Sequence, residues 1–377
     1  MSRIHHKDNG YAWIVLAACF LLHIICDGIN LSFGVLTPLI RHDFETDSAT
    51  AVFIGSLNIG ISCMLAPIII TLIKVMSYRK VTMFGIGLAG LGLICCGFCN
   101  TTLELILLYG VVTGTGISMI LVPAQLIINE YFEKKRALAY GIYYTGSSFG
   151  CLAFGPIVTF ISKNSGIQSV FVIEGIVTYS CLFLGYLMAS PTSDSESKKE
   201  AENCPQNVSD TTTSNKGFFK ALFQERIWSN KGYILYLTSM ILVYLPLLIP
   251  ILHIPSFALN SGVTNISRTQ AGFALTILGT FNLFGRLLSG TLDTFPKQIL
   301  KINAVATLFC GLSLVAMPYC KTYQWLYVVS AIFGFMSATM VVLSPCIVTL
   351  IVGAESFGRA YGIVLLVFGM ASMAGNL

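Results

Sequence analysis

The sequence predicts an all-α polytopic membrane protein on three observations: an apolar composition, long apolar runs at regular intervals, and basic residues confined to alternate loops. Hydrophobic residues make up 55% of the chain and charged residues 10%, with a mean hydropathy of +0.78. That balance is too apolar for a soluble globular protein. Apolar runs begin near Trp13, Val52, Val81, Leu105, Ala137, Ser169, Gly232, Thr269, Ile299, Tyr323 and Ala360, most of them near the ~20 residues that cross a bilayer core. About eleven spans are therefore expected. The first run continues past residue 35 with no small-residue cleavage site, so it reads as a retained span and not as a removable signal peptide.

Orientation follows from the Lys and Arg count in alternate loops. With the N-terminus inside, the cytoplasmic loops hold seventeen basic residues, among them Lys74, Arg79, Lys80, Lys134, Lys135, Arg136 and Arg359; the external loops hold Arg41, Lys163, Arg268 and Lys321. Of the 22 basic residues only Arg286 is left over. The net charge of +5 is thereby spent on short loops, which argues against a nucleic-acid partner. The 12 Cys lie mostly inside apolar runs without metal-ligand spacing and read as small buried hydrophobes. No Gly-rich phosphate loop, nucleophile triad or metal-ligand cluster stands in the sequence, so neither an enzyme nor a cofactor is expected.

The polar, Ser/Thr-rich stretch 191–231 interrupts the hydrophobic rhythm and reads as a cytoplasmic linker. It separates an N-terminal six-helix bundle, residues 1–190, from a C-terminal bundle, residues 232–377. A weak internal repeat supports the division. "RALAYGI" opens span 5, "RAYGI" opens span 11, and Gly141 and Gly362 stand 221 positions apart. The same offset carries Trp13 to 234, where the run after the linker starts. Two parallel six-span repeats are the layout of the major facilitator superfamily, and by this offset the sequence stops inside span 11, leaving the second repeat incomplete.

Two motifs then resemble the monocarboxylate transporter family of that superfamily. Asp8-Asn9-Gly10-Tyr11-Ala12-Trp13 is similar to the family's signature at the start of span 1, and "YFEKKRALAYGIYYTG" from Tyr131 is similar to its pattern entering span 5. The resemblance implies alternating access between two six-helix bundles and a carboxylate substrate. Family members that cotransport protons with lactate have a lysine in span 1 and an Asp one turn before the span 8 arginine. Here those positions hold Leu31 and Asn282, and "CDGINLSFGV", from Cys26, looks more like the branch that includes carnitine and creatine carriers. Some relatives also use a single-span ancillary glycoprotein to reach the surface.

Arg286 is the candidate that composition isolates. An ionised side chain within a span costs on the order of 2.5 to 3.5 kcal/mol unless it faces a cavity or partner. It lies seven residues before Asp293, or ~10 Å of helix, close enough to the inner interface for snorkelling. Span 8 runs inward, however, and helical side chains lean toward the helix N-terminus, so the guanidinium points to the bilayer centre and suits a substrate carboxylate. His23, Asp27 and Asn30 follow at i, i+4 and i+7 and form a polar stripe on span 1. Two arrangements remain open: an Asp27–Arg286 ion pair that keeps both charges tolerable, or a zwitterion between them, its carboxylate on Arg286 and its cationic group on Asp27. Asn282 is a hydrogen-bonding candidate on the same face as Arg286. Asp27 and His23 are the candidates for carrying a coupling proton.

Weaker features complete the expectation. Asn58 with Ser62, Gln125 with Asn129, and Tyr140 with Tyr144 have i, i+4 spacing and either line a cavity or bond between helices. Pro246, Pro250 and Pro255 mark kinks in span 7, His253 reads as a hydrogen-bonded helix residue, and Asn100 and Asn265 open sequons on external loops. The function expected is a plasma-membrane secondary transporter of small monocarboxylates or zwitterionic carboxylates. The alternative is a non-transporting ligand-binding sensor or a truncated regulatory isoform.

Overall fold

A computed structural model describes residues 8–189, 225–247, 250, 254, 268–294 and 298–376. Most of the linker, Pro255, His253 and the Asn265 sequon lie outside the described residues. The described part is all helical, and each expected span has its helix. Span 1 is Gly10–Asp43; span 2 is Ser48–Met64 followed by Ala66–Met76, bent by 48°; span 3 is Tyr78–Cys96; span 4 is Thr102–Tyr131. Arg136–Ser180 holds spans 5 and 6, divided at Gly166, whose φ of 79° only glycine adopts readily. Span 6 ends with Leu182–Leu187. Span 7 is Lys231–Leu247, span 8 Arg268–Gly290, span 9 Ile299–Ala316, span 10 Tyr323–Val352 and span 11 Ala354–Asn376.

Length and apolarity alone qualify eight of the described helices as membrane-crossing, nine with the bent pair. The count rises to the expected eleven because Arg136–Leu187, at 52 residues, folds back on itself, and because Lys231–Leu247 is apolar but only 17 residues long. Lipid-facing side chains account for the exposed apolar surface: Phe98, Leu235 and Leu242 are 74%, 74% and 69% exposed. In water such surface would drive association; in a bilayer it is solvated.

The two signature segments meet. Asp8 accepts hydrogen bonds from the backbone N–H groups of Lys134 and Lys135, at 3.1 and 3.2 Å, while its own N–H donates to the Tyr131 carbonyl at 2.9 Å. Trp13 packs edge-on against Phe132 at 5.3 Å, and Lys135 Nζ sits 5.6 Å from the Trp13 ring centroid. Asn9 caps span 1 through its side chain, accepting from the Gly10 N–H at 2.7 Å. These contacts pin the entrance of span 5 to that of span 1, and the two helices pack along their length.

Two crossings join the halves. Span 5 meets span 8 at Gly141, where an added Cβ would stand 2.8 Å from the Gly290 Cα and 2.9 Å from the Arg286 carbonyl oxygen. Span 2 meets span 11 at Gly369, where a Cβ would stand 2.7 Å from the Gly60 carbonyl oxygen. The crossings obey the internal repeat. The offset that takes Gly141 forward to Gly362 takes Gly290 back to position 69, and Gly362 lies against Pro67 and Ile70.

Candidate functional site between spans 1, 5 and 8

Gly146 and Gly150 let span 5 lie close against span 1, so residues 143–147 face the polar stripe of that span. The stripe forms as the spacing predicts: His23 Nε2 lies 3.2 Å from Asp27 Oδ2. His23 is buried between Tyr143 and Tyr144, with ring centroids at 4.2 and 5.7 Å. Asp27 keeps 23% of its side chain exposed, Ser147 faces its carboxylate, and the charge of Arg286 acts on it from a distance.

The structure does not form the Asp27–Arg286 contact pair left open above. Arg286 turns to span 5 and donates from Nη1 to the backbone carbonyl of Tyr144, while the ion-pair partner of Asp27 is His23. The physical reason is local. Gly141 brings span 8 against span 5, so the nearest acceptor to the guanidinium is a carbonyl one helical turn above that contact. Snorkelling is not adopted either, since Arg286 reaches another helix in the bundle. One donor of its five is spent. The Nε–H is buried without a hydrogen-bond partner, and the edge formed by Nε and Nη2 is the one that meets a carboxylate through two parallel hydrogen bonds.

Other polar atoms around the stripe are also unfilled. His23 Nδ1, Asn30 Oδ1 and the Tyr143 hydroxyl are buried with no hydrogen-bond partner. Each such atom costs about 1–3 kcal/mol when left unsatisfied. Asn282, by contrast, spends its amide on span 10, donating to the Gly334 carbonyl at 3.1 Å and approaching Ser337 Oγ at 3.4 Å. It braces span 8 one turn before Arg286.

Of the polar residues paired at i, i+4 spacing, all but Gln125, whose Oε1 is buried without a partner, bond between or along helices. Asn58 donates to the Tyr109 carbonyl at 2.7 Å and Ser62 to the Ile59 carbonyl at 2.8 Å. Tyr140 donates to the Gln125 carbonyl at 2.7 Å. Asn129 accepts from Thr349 Oγ1 at 3.0 Å, and the Tyr144 and Tyr361 hydroxyls meet at 2.8 Å. The last two contacts cross from one half to the other at the end of the molecule that carries Asp8. Tyr143, Ser147 and Tyr361 were not legible as site residues, because hydroxylated and aromatic side chains are common in spans. Glu174, buried in span 6, carried the same signal as Arg286, an ionisable group inside an apolar run, and is absent from the candidates drawn from the sequence.

Apolar helices long enough to cross a bilayer, packed through close glycine contacts, define a polytopic membrane protein; the relatives below make it a transporter and not an enzyme. The chain belongs to the Major Facilitator Superfamily, whose family model matches residues 16–376. Among curated relatives, monocarboxylate transporter 14 of Homo sapiens is 23% identical over 432 residues, covering 98% of this chain and 84% of its own. Monocarboxylate transporter 4 of Rattus norvegicus is 25% identical over 375 residues, covering 99% and 77%. Among solved structures, the human organic anion transporter MFSD10 superposes with a TM-score of 0.71 at 12% identity, covering 98% of this chain and 93% of its own. The proton:xylose symporter XylE does so with a TM-score of 0.69 at 14% identity, covering 97% and 87%. These likenesses establish the fold.

Proposed function

We propose that the chain is a plasma-membrane secondary transporter of small carboxylates, with zwitterions such as carnitine or creatine ahead of lactate-type anions. The observation that carries this reading is the open fork edge of Arg286 beside an acidic stripe whose buried polar atoms lack partners. A substrate carboxylate accepts from Arg286 Nε and Nη2, and its ammonium, guanidinium or quaternary ammonium group lies against the exposed part of Asp27. Asn30 and His23 supply an acceptor and a ring to the same pocket. Asn282 holds the arginine's helix in register against span 10.

Residues 1–190 and 232–377 form the two moving bodies in this reading, joined by the cytoplasmic linker 191–231. With the N-terminus inside, Asn129–Thr349 and Tyr144–Tyr361 join the two bodies on the cytoplasmic side. Alternating access then requires those cross-bundle contacts to part while the substrate stays between Asp27 and Arg286. Because Arg286 bonds the backbone of Tyr144, a carboxylate that draws the guanidinium away also loosens the turn that carries the Tyr144–Tyr361 contact. The family resemblance adds an ancillary single-span glycoprotein to the proposal, and Asp27 or His23 on the span 1 stripe carries the coupling proton.

The test is uptake of labelled lactate, carnitine, creatine and an aromatic amino acid by liposomes containing the purified protein, each at two pH values. Saturable uptake of a carboxylate supports the reading. Saturable binding of the same compounds with no accumulation supports the sensor alternative instead, and neither binding nor uptake of any of them contradicts both.

A further inference from the structure

Behind the substrate-facing stripe, span 1 carries a second polar contact that the proposed transport site does not use. Glu174 of span 6 is 4% exposed, and Oε2 has no hydrogen-bond partner. Its side chain meets Ser32, whose Oγ lies 3.5 Å from Oε1 and 3.2 Å from the Ile29 carbonyl. The titratable groups that face it are Tyr109 of span 4 and Cys96 of span 3, neither of which is a cation at any pH; span 1 presents only Ser32. No Lys, Arg or His lies within ion-pair distance of Glu174 among the described residues. Burial without a partner strongly disfavours an ionised carboxylate in such a place.

The hydrogen count around Ser32 points the same way. A hydroxyl has one hydrogen, and Ser32 lies closer to the Ile29 carbonyl than to Glu174. When that hydrogen goes to Ile29, the contact with Glu174 is a hydrogen bond only if the acid brings its own proton. When Glu174 is ionised, it draws the Ser32 hydrogen from Ile29 and leaves that carbonyl to the N–H of its own helix and to the Tyr109 hydroxyl at 3.4 Å. Ile29 stands between Asp27 and Asn30. One turn of span 1 therefore faces the substrate pocket on one side and the acid on the other.

We propose that Glu174 is a proton-binding site whose occupancy is transmitted through the Ile29–Ser32 turn to Asp27 and Asn30. The proton binds Glu174 as a neutral acid, with Ser32 donating to Ile29. Its loss moves the Ser32 hydrogen to the carboxylate and alters the turn that presents Asp27. Protonation of Glu174 stands on this geometry alone; its effect on transport rests on the reading of the Asp27–Arg286 pocket given above. Glu174 acts through span 1 and is a positioning residue, since it does not touch substrate.

Two measurements test this. The first follows the carboxylic-acid carbonyl stretch in the infrared as protein in lipid vesicles is titrated from about pH 5 to about pH 9. Wild type is expected to lose a band that Glu174→Gln lacks; a band that does not titrate, or that persists in the variant, overturns the proposal. This arm needs no substrate, so its failure is distinct from failure of the transport reading. The second follows uptake of whichever carboxylate is transported. Wild-type uptake is expected to change more than about fivefold over that range and Glu174→Gln uptake less than about twofold; equal pH profiles overturn it. Ser32→Ala guards against a Glu174→Gln variant that does not fold. It is expected to shift the midpoint of the infrared band and of the uptake profile together, and unchanged midpoints in a folded Ser32→Ala protein overturn the proposal.

Discussion

At Arg286 the charge is fixed and the geometry decides its use. Lysine would keep the charge but lose the planar fork, so Arg286→Lys should lower uptake of a carboxylate by roughly tenfold or more, with little change in folded protein. A small change would mean that the open edge does not hold substrate. Asp8 acts differently, by tying the span 4–5 turn to the start of span 1 through two backbone N–H groups. Asp8→Ala leaves both without that acceptor and should lower thermal stability in detergent by about 1–3 kcal/mol. Both residues were legible in the sequence, though for different reasons. Arg286 stood out as the one basic residue that topology could not place, and Asp8 belonged to a motif. The partner each one takes was not legible, because a backbone carbonyl such as that of Tyr144 leaves no trace in residue identity. Asp27 shows the same limit: the i, i+4 spacing to His23 is local and could be read, while the absence of a contact with Arg286 depends on how two distant helices cross.

Among the elements, spans 5 and 8 are set by a glycine contact that admits no side chain. Gly141→Leu should force the crossing apart and reduce uptake by at least about tenfold while the variant still inserts, since close small-residue contacts carry helix association in bilayers. Wild-type uptake by Gly141→Leu would show that the crossing is not tight. Span 4 departs from regular helix at Ile106–Thr113, which is wound as π-helix. Thr113 donates to the Leu108 carbonyl at 3.0 Å and Asn58 to that of Tyr109, so the backbone groups freed by the wider turn are answered by side chains. The same segment brings Tyr109 to the Ile29 carbonyl. Nothing in the hydropathy pattern marked it, since a π-turn keeps an apolar run apolar. At the start of span 2, Asp47 caps the helix by accepting from the Thr50 N–H at 3.3 Å and from its hydroxyl. Those bonds, the Thr50 hydroxyl first, hold the Asp47 carboxyl below its usual range. Their stabilisation is therefore complete above the ordinary Asp value and is lost as pH falls through the lowered one. Asp47→Asn should remove that acid-side dependence from a melting curve recorded between about pH 2 and pH 5.

For the whole molecule, the apolar runs were enough to place the helices. The internal offset locates the second crossing, because Gly362 meets span 2 where Gly141 meets span 8. What it could not give is which side chains join the halves at the Asp8 end. Those are Asn129–Thr349 and Tyr144–Tyr361, pairs the repeat does not map onto one another. Tyr361→Phe removes one of these bonds, worth about 0.5–1.5 kcal/mol, and should shift the population toward the form open at the Asp8 end by roughly two- to tenfold. Labelling of a cysteine placed near Thr349 with a membrane-impermeant reagent would read the shift, and an unchanged labelling rate would show that the contact does not hold the halves together there. The central claim is narrower than alternating access: two opposite charges on spans 1 and 8 take the two ends of one zwitterion. It is tested most directly by uptake of carnitine or creatine against lactate in Asp27→Asn. The account predicts that the ratio of zwitterion to lactate uptake falls by about tenfold or more, with Arg286 still serving the lactate carboxylate. An equal loss of both would contradict it.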